Sequence, residues 1–188
     1  MASFIAAATS CGWARAADYN RRMSLGLKVG DPLPSVGLRA SDGYLLNLRS
    51  FVTKQPAVFL FFGAPTMSGA ARRRGHKAIE ALVAAHDSLR EAGIAVVGVS
   101  CDSEQQQLDY IESASIPFLL FSDERRSAAE LLGIETVAAG ANVNVARPVA
   151  VAVDRDGIAR AIIEKVDPER LADDLLRALS EPIPAGAA

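Results

Sequence analysis

Two runs of apolar residues organise the hydrophobic pattern, AVFLFF at 57–62 and IAVVGVS at 94–100, the second closed by Ser100. Neither alternates with polar residues, which is the pattern of a strand covered on both faces. Between them Ile79, Leu82, Val83, His86 and Leu89 recur at helical spacing. That spacing predicts an amphipathic helix, and Gly93 stops it. Upstream, residues 36–39 and 44–48 flank Ala40-Ser41-Asp42-Gly43, which reads as a hairpin with a glycine-containing turn. Downstream, Ser103 is placed to cap a helix carrying Leu108 and Ile111. Pro117 restarts an extended piece, and Asp123 opens a short helix that ends at Gly133. Residues 134–146, rich in Ala, Asn, Val and Gly, lack periodicity and read as a loop or insertion. Val149, Val151 and Val153 alternate with Ala150 and Ala152 to form a strand, and Asp154-Arg155-Asp156-Gly157 turns it into a partner at 158–163. Asp167 caps a last helix with Pro168 at its first position. Leu171, Leu175, Leu176 and Leu179 give that helix one apolar stripe.

The order is therefore hairpin, β, α, β, α, short β, α, then a closing β-hairpin and a final α. Its first part suits any doubly wound α/β fold. The closing part discriminates, because a flavodoxin-like chain would have a helix where residues 154–157 make a tight turn. A β-α-β unit followed by a β-β-α unit is the thioredoxin arrangement. The expected fold class is α/β, thioredoxin-like, with an N-terminal β-hairpin and a mixed central sheet flanked by helices.

Composition narrows the function classes. The 188 residues suit one domain with one well-buried core. Twenty basic against 22 acidic side chains leave a net charge of −2, which argues against non-specific nucleic-acid binding. Cys11 and Cys101 are too few for a disulfide scaffold, and with only His76 and His86 no protein-held zinc site and no cofactor are expected. No segment approaches the ~18–20 apolar residues that span a bilayer. Residues 1–25 lack the basic start and long apolar stretch of a secretory signal. They read as an amphipathic arm with Phe4, Ile5, Trp13 and Tyr19 available for docking on the domain or a partner. The expected organisation is arm 1–25, domain 26–180 and a flexible tail 181–188.

Five stretches, in order over roughly residues 28–180, together carry a resemblance. They are KVGDPLPSVGLRASDGYLLNLRSF, VFLFFGAP, GIAVVGVSCDS, IPFLLFSDERRSAAELLGI and ARPVAVAVDRDG. In this order the chain resembles the peroxiredoxin (alkyl hydroperoxide reductase / thiol-specific antioxidant, redoxin) branch of the thioredoxin superfamily. The resemblance implies a thiol peroxidase chemistry built on a motif of proline, three residues, threonine or serine, two residues and cysteine. That cysteine attacks peroxide as a thiolate at the first turn of a helix, where the helix N-terminus and an arginine lower its pKa. The matching stretch here is Gly63-Ala64-Pro65-Thr66-Met67-Ser68-Gly69-Ala70-Ala71. With Thr66 as the hydroxyl residue the cysteine position falls on Gly69. Matching the strand puts it on Ala70, and taking Ser68 as the hydroxyl residue puts it on Ala71. No register supplies the cysteine or the motif proline. Where the family carries an arginine this chain has Pro148, a cis-proline candidate by analogy with thioredoxins, with Arg147 one residue before it.

Each remaining candidate has two readings. Cys101 is a substitute nucleophile or a small, partly buried filler, and the neighbouring Asp102 and Glu104 would raise its pKa. Cys11 has no evident partner. Thr66, Ser68 and Pro148 would line the pocket. Arg72, Arg73 and Arg74, with His76 and Lys77, put cations in the first turns of a helix, which costs about 0.3–1 kcal/mol each. They are a solvated face or a docking patch for an acidic partner or small anion. His86 reads as a packed core-edge histidine. The reading is a peroxiredoxin-like protein without the catalytic thiol, a non-catalytic binding, assembly or accessory subunit. The alternative is a thiol-dependent peroxidase using Cys101, and a third reading is a ligand binder using the pocket beside Ala70 and Pro148. The expected partner is a protein or a second copy, with no nucleic acid and at most peripheral association with a membrane complex. The expected compartment is the cytoplasm, a reducing one, with organelle import as the alternative.

Overall fold

The fold is that of a computed structural model that describes residues 26–180. The arm 1–25, with Cys11 and Trp13, and the tail 181–188 lie outside the described residues. The elements in chain order are β1 (Gly37–Ala40), β2 (Leu45–Asn47), α1 (Leu48–Phe51), β3 (Ala57–Phe61), α2 (Gly69–Glu91), β4 (Ala95–Ser100) and α3 (Glu104–Ala114). They continue with β5 (Leu119–Ser122), α4 (Ser127–Leu132), β6 (Thr136–Ala139), β7 (Asn142–Val145), β8 (Val149–Val153), β9 (Ala159–Ile163) and α5 (Leu171–Ser180). Seven strands form one sheet in the order β2-β1-β5-β4-β3-β8-β9. β3 pairs in parallel with β4, and β4 with β5, while β8 runs antiparallel to β3 and β9 antiparallel to β8. This is the mixed, thioredoxin-like sheet that the element order predicts.

The two apolar runs are the central strands, and pleating divides each between two cores. Val58, Leu60 and Phe62 face α2 and α5 beside Ile79, Leu82, Leu89, Leu171 and Leu175. Phe59 and Phe61 face the other way, with Leu48, Val52, Phe121 and Leu132. Each such side chain, fully buried, contributes about 1.5–3 kcal/mol. At Gly98 of β4 the side chains of the two neighbouring strand segments close over the backbone, and a Cβ there would stand 2.5 Å from Leu120 Cδ2 and 3.0 Å from Phe62 Cε1. The glycine inside an otherwise valine-rich strand is thus a packing requirement.

Several caps follow their signals. Ser103 and Gln106 form a capping box on α3. Asp123 accepts from the Ala128 and Ala129 amides at 3.2 and 2.9 Å and from the Ser127 hydroxyl. Asp167 accepts from the Glu169 amide at 3.1 Å, although the helix proper begins only at Leu171, after a turn over 168–170.

Four expectations need correction. The strand expected over 44–48 ends at Asn47, whose side chain accepts from the Arg49 and Ser50 amides and starts α1 instead. Residues 134–146 are a two-stranded hairpin, β6–β7, rather than a loop. It lacked an apolar signature because only Asn144 and Val145 of its two strands are buried. On α3 the inward face carries Gln107 and Tyr110, while Leu108 is 42% exposed. The polar Gln107 is tolerated inside because its amide donates to Ser100 Oγ at 2.9 Å and to the Phe121 carbonyl at 2.8 Å. Finally, every described peptide bond is trans, including that of Pro148. The bend between β7 and β8 is taken up at Ala146 and Arg147.

Candidate functional site

The C-terminal ends of β3 and β4 open towards the N-terminus of α2, the edge at which sites of open α/β sheets form. The connection from β3 is held by backbone contact. A Cβ on Gly63 would lie 2.4 Å from the Val145 carbonyl oxygen, so hairpin β6–β7 presses on the loop where any side chain would stand. In the register set by the strand, this is the motif's proline position. Its hydroxyl position is Met67, buried at 5% exposure, and its cysteine position is Ala70. Ser68, Gly69 and Ala70 are exposed at the start of α2, and Ala71 is half-buried. Ser68 occupies the N-cap without a side-chain hydrogen bond, and the first turn carries no acidic residue.

Arginines surround this turn. Arg72, Arg73 and Arg74 are exposed, and Arg74 Nη2 donates to the Ala146 carbonyl at 3.3 Å. That contact brings α2 beside exposed Arg147, whereas Pro148 is buried. A cavity of about 220 Å³ is lined by Pro65, Thr66, Arg72, Gln106 and Tyr110. Ser68 and Pro148, expected in a common pocket with Thr66, do not line it.

Beneath the turn lies a polar network that joins three segments. Thr66 Oγ1 donates to Asp102 Oδ1 and accepts from Asn144 Nδ2 at 3.3 Å. Asn144 Oδ1 in turn accepts from the Cys101 amide at 3.0 Å and the Val145 amide at 2.9 Å. Asn144 is completely buried and Asp102 nearly so. Sequence reasoning missed Asn144 altogether. The alternation Asn142, Val143, Asn144, Val145 was the available signal, since it is a strand pattern with polar residues in phase.

Cys101 sits at the end of β4 within this network, half-buried and not in a disulfide. Burial pushes its thiol up to about 12, with Asp123 and Asp102 adding to the rise and Arg126 opposing it. At neutral pH this group is a thiol, not a thiolate. Tyr110 is likewise pushed up to about 12, first by burial and then by Glu80, and its hydroxyl lies 2.8 Å from His76 Nδ1. His76 Nε2 is 3.5 Å from Glu80 Oε1, a local tie across the helix face. His86 packs at the core edge with its ring 6.0 Å from that of Phe118. Among the described residues no group of three or more His, Cys, Asp or Glu is placed to hold a metal ion.

A model of the AhpC/TSA family matches residues 29–162. Peroxiredoxin Bcp of Escherichia coli is 30% identical over 108 residues, 57% of this chain and 65% of the relative, so the match spans just under two thirds of that relative's length. Chloroplastic peroxiredoxin Q of Suaeda salsa is 24% identical over 86% of this chain and 72% of its own. Among solved structures, peroxidoxin BcpB of Mycobacterium tuberculosis superimposes with a TM-score of 0.68 at 20% identity, covering 81% of this chain and 96% of that one. Xanthomonas campestris peroxiredoxin Q does so with 0.63 at 19% identity, covering 87% and 99%. The five matching stretches, the mixed seven-stranded sheet and the family match agree that the chain belongs to the AhpC/TSA family.

Proposed function

We propose that this chain is a non-catalytic member of its family, a binding, assembly or accessory subunit that keeps the peroxiredoxin fold without thiol peroxidase chemistry. The observation that carries the reading is the exposed Ala70 at the helix turn where the family's thiolate belongs. Gly63, Met67 and Pro148 stand at the companion positions of proline, hydroxyl and arginine. A thiol peroxidase without its thiolate lacks the step that the surrounding field serves. Cys101 is a poor substitute, because burial and two carboxylates hold its proton. In this reading residues 26–180 are the folded unit, and the arm 1–25 offers Trp13 as a further contact. No described helix is long and apolar enough to cross a membrane. The proposed setting is a reducing, cytoplasmic one.

The test is consumption of hydrogen peroxide and an alkyl hydroperoxide with a thiol reductant, by the natural chain and by Cys101→Ser. The expected rate for both equals that of free thiol. Consumption well above that level which disappears in Cys101→Ser would establish the competing reading, a thiol peroxidase working through Cys101.

A further inference from the structure

Five exposed cations, Arg72, Arg73, Arg74, Lys77 and Arg147, flank the turn at 68–71, and none is in an ion pair among the described residues. On α2, Ala70, Arg73, Arg74 and Lys77 are spaced i, i+3, i+4 and i+7, so they share one face. All four are exposed. The bond from Arg74 to the Ala146 carbonyl carries this stripe across to exposed Arg147 on the neighbouring segment. The basic surface is thus continuous over two parts of the chain. Some surface arginines elsewhere have local carboxylates, as Arg90 has Asp87 at 3.0 Å and Arg170 has Asp174 at 3.6 Å. Here the first turn of α2 holds no acidic residue, and the positive end of the helix adds to the field instead of offsetting it. The arrangement disfavours the isolated fold locally. Small side chains at Gly69 and Ala70 leave the backbone of the turn open to close approach.

We propose that this stripe, Arg73, Arg74 and Lys77 of α2 with Arg147, is a docking surface for an acidic segment of a partner protein. The inference rests on the non-catalytic reading above, since it gives the altered active-site turn its role. Carboxylates match the guanidinium fork bidentately. The net charge of −2 leaves the positive field local. A short acidic peptide can use a local field, whereas a nucleic acid is repelled by the remaining surface. Recognition of this kind sets orientation and association rate and weakens with salt.

The experiment uses the full chain and a fluorescein-labelled hexaglutamate peptide, with a hexathymidylate oligonucleotide and a hexathreonine peptide as comparison probes. Hexaglutamate is expected to bind the natural chain at low salt. Its affinity is expected to fall at least ~10-fold in Arg73→Ala/Arg74→Ala/Lys77→Ala, and again in Arg147→Ala. The variant Arg49→Ala/Arg125→Ala/Arg155→Ala removes the same charge from other exposed positions and is expected to change affinity less than ~2-fold. Circular dichroism confirms that each variant folds. Equal losses in the two triple variants would reduce the effect to net charge and overturn the proposal. Tighter binding of the oligonucleotide, or no hexaglutamate binding, would overturn it as well. Peroxidase activity in the natural chain would remove the non-catalytic reading while leaving this binding result intact, so the two failures are separable.

Discussion

The turn at 68–71 and the strand end at Cys101 lie at the same edge of the sheet, at the ends of neighbouring strands β3 and β4. Their environments are opposite. The turn is exposed, sits on a helix N-terminus and is ringed by arginines, yet has alanine where a thiol would respond to that field. Cys101 has the thiol, but it is enclosed, and its nearest charges include Asp123 and Asp102. One place has the field without the nucleophile, and the other has the nucleophile without the field. The comparison teaches that a cysteine count alone decides nothing about thiol chemistry. What matters is whether the thiol and the stabilising charge share a position.

The largest test moves the thiol into the field. In a Cys11→Ser background, Ala70→Cys places a thiol at the exposed turn while Cys101 remains as an internal reference. At pH 7 an ordinary thiol, with a pKa of about 8.5, is roughly 10³-fold more ionised than one near 12, although its thiolate is ~30-fold less nucleophilic. Iodoacetamide should therefore label the introduced thiol of the Ala70→Cys variant roughly 10²-fold faster than Cys101 is labelled in the parent. Equal rates would break the comparison at its root. The two environments would then not differ in what they do to a thiol.

A smaller effect is expected at the residue that joins the two places. Asn144 holds the Cys101 amide through Oδ1 and Thr66 through Nδ2. Asn144→Ala leaves the Cys101 amide without its acceptor and Thr66 with Asp102 as its remaining partner, at a cost of about 2 kcal/mol. Urea denaturation reads that loss. Labelling of Cys101 should quicken in the same variant, because the enclosure that raises its pKa loosens. A stability loss without faster labelling would assign the enclosure of Cys101 to its other neighbours.

Asp123 sharpens the electrostatic half. Burial raises its carboxyl above the ordinary Asp value, against hydrogen bonds from the Ala129, Ala128 and Ser127 groups that lower it. The folded state therefore holds this proton more tightly than the unfolded chain does. The associated stability is full below the unfolded carboxyl pKa and is lost as pH rises through the folded value. Asp123→Asn keeps an acceptor for the α4 amides and removes the charge. It should flatten that part of the stability profile, with a change of about 1 kcal/mol at neutral pH. It should also speed the labelling of Cys101 by removing a neighbouring carboxylate. An unchanged pH profile in denaturant titrations would show that Asp123 does not titrate differently on folding.

The parts of this architecture that were legible in the sequence are those in which one pattern had one cause. The runs at 57–62 and 94–99 are apolar throughout because both faces of β3 and β4 are covered. The caps at Ser103 and Asp123 are visible because a single side chain serves local amides. Of the candidate site the sequence offered only an altered motif, since no register of residues 63–71 supplies a cysteine. What stayed hidden depends on contacts distant along the chain. Hairpin β6–β7 owes its place to Asn144 reaching Thr66 and Cys101, residues 78 and 43 positions away, and no local periodicity records that. Nor does sequence alone tell that Pro148 is reached through a bend at Ala146 and Arg147.

The face of α3 gives the smallest effect and the cleanest check on what lies behind Cys101. Helical periodicity favours Leu108 as a core residue, but Gln107 faces inward and ties Ser100, the last residue of β4, to the Phe121 carbonyl. Leu108 is 42% exposed beside it. A half-exposed leucine loses little when truncated, because most of its surface is already wet. Leu108→Ser should therefore alter stability by no more than about 0.5 kcal/mol and leave the Cys101 labelling rate unchanged. A loss above about 2 kcal/mol, the range of a buried leucine, would rotate α3 so that Leu108 packs inward. Gln107 would then leave Ser100, and the end of β4 would no longer be braced on the side that encloses the Cys101 thiol.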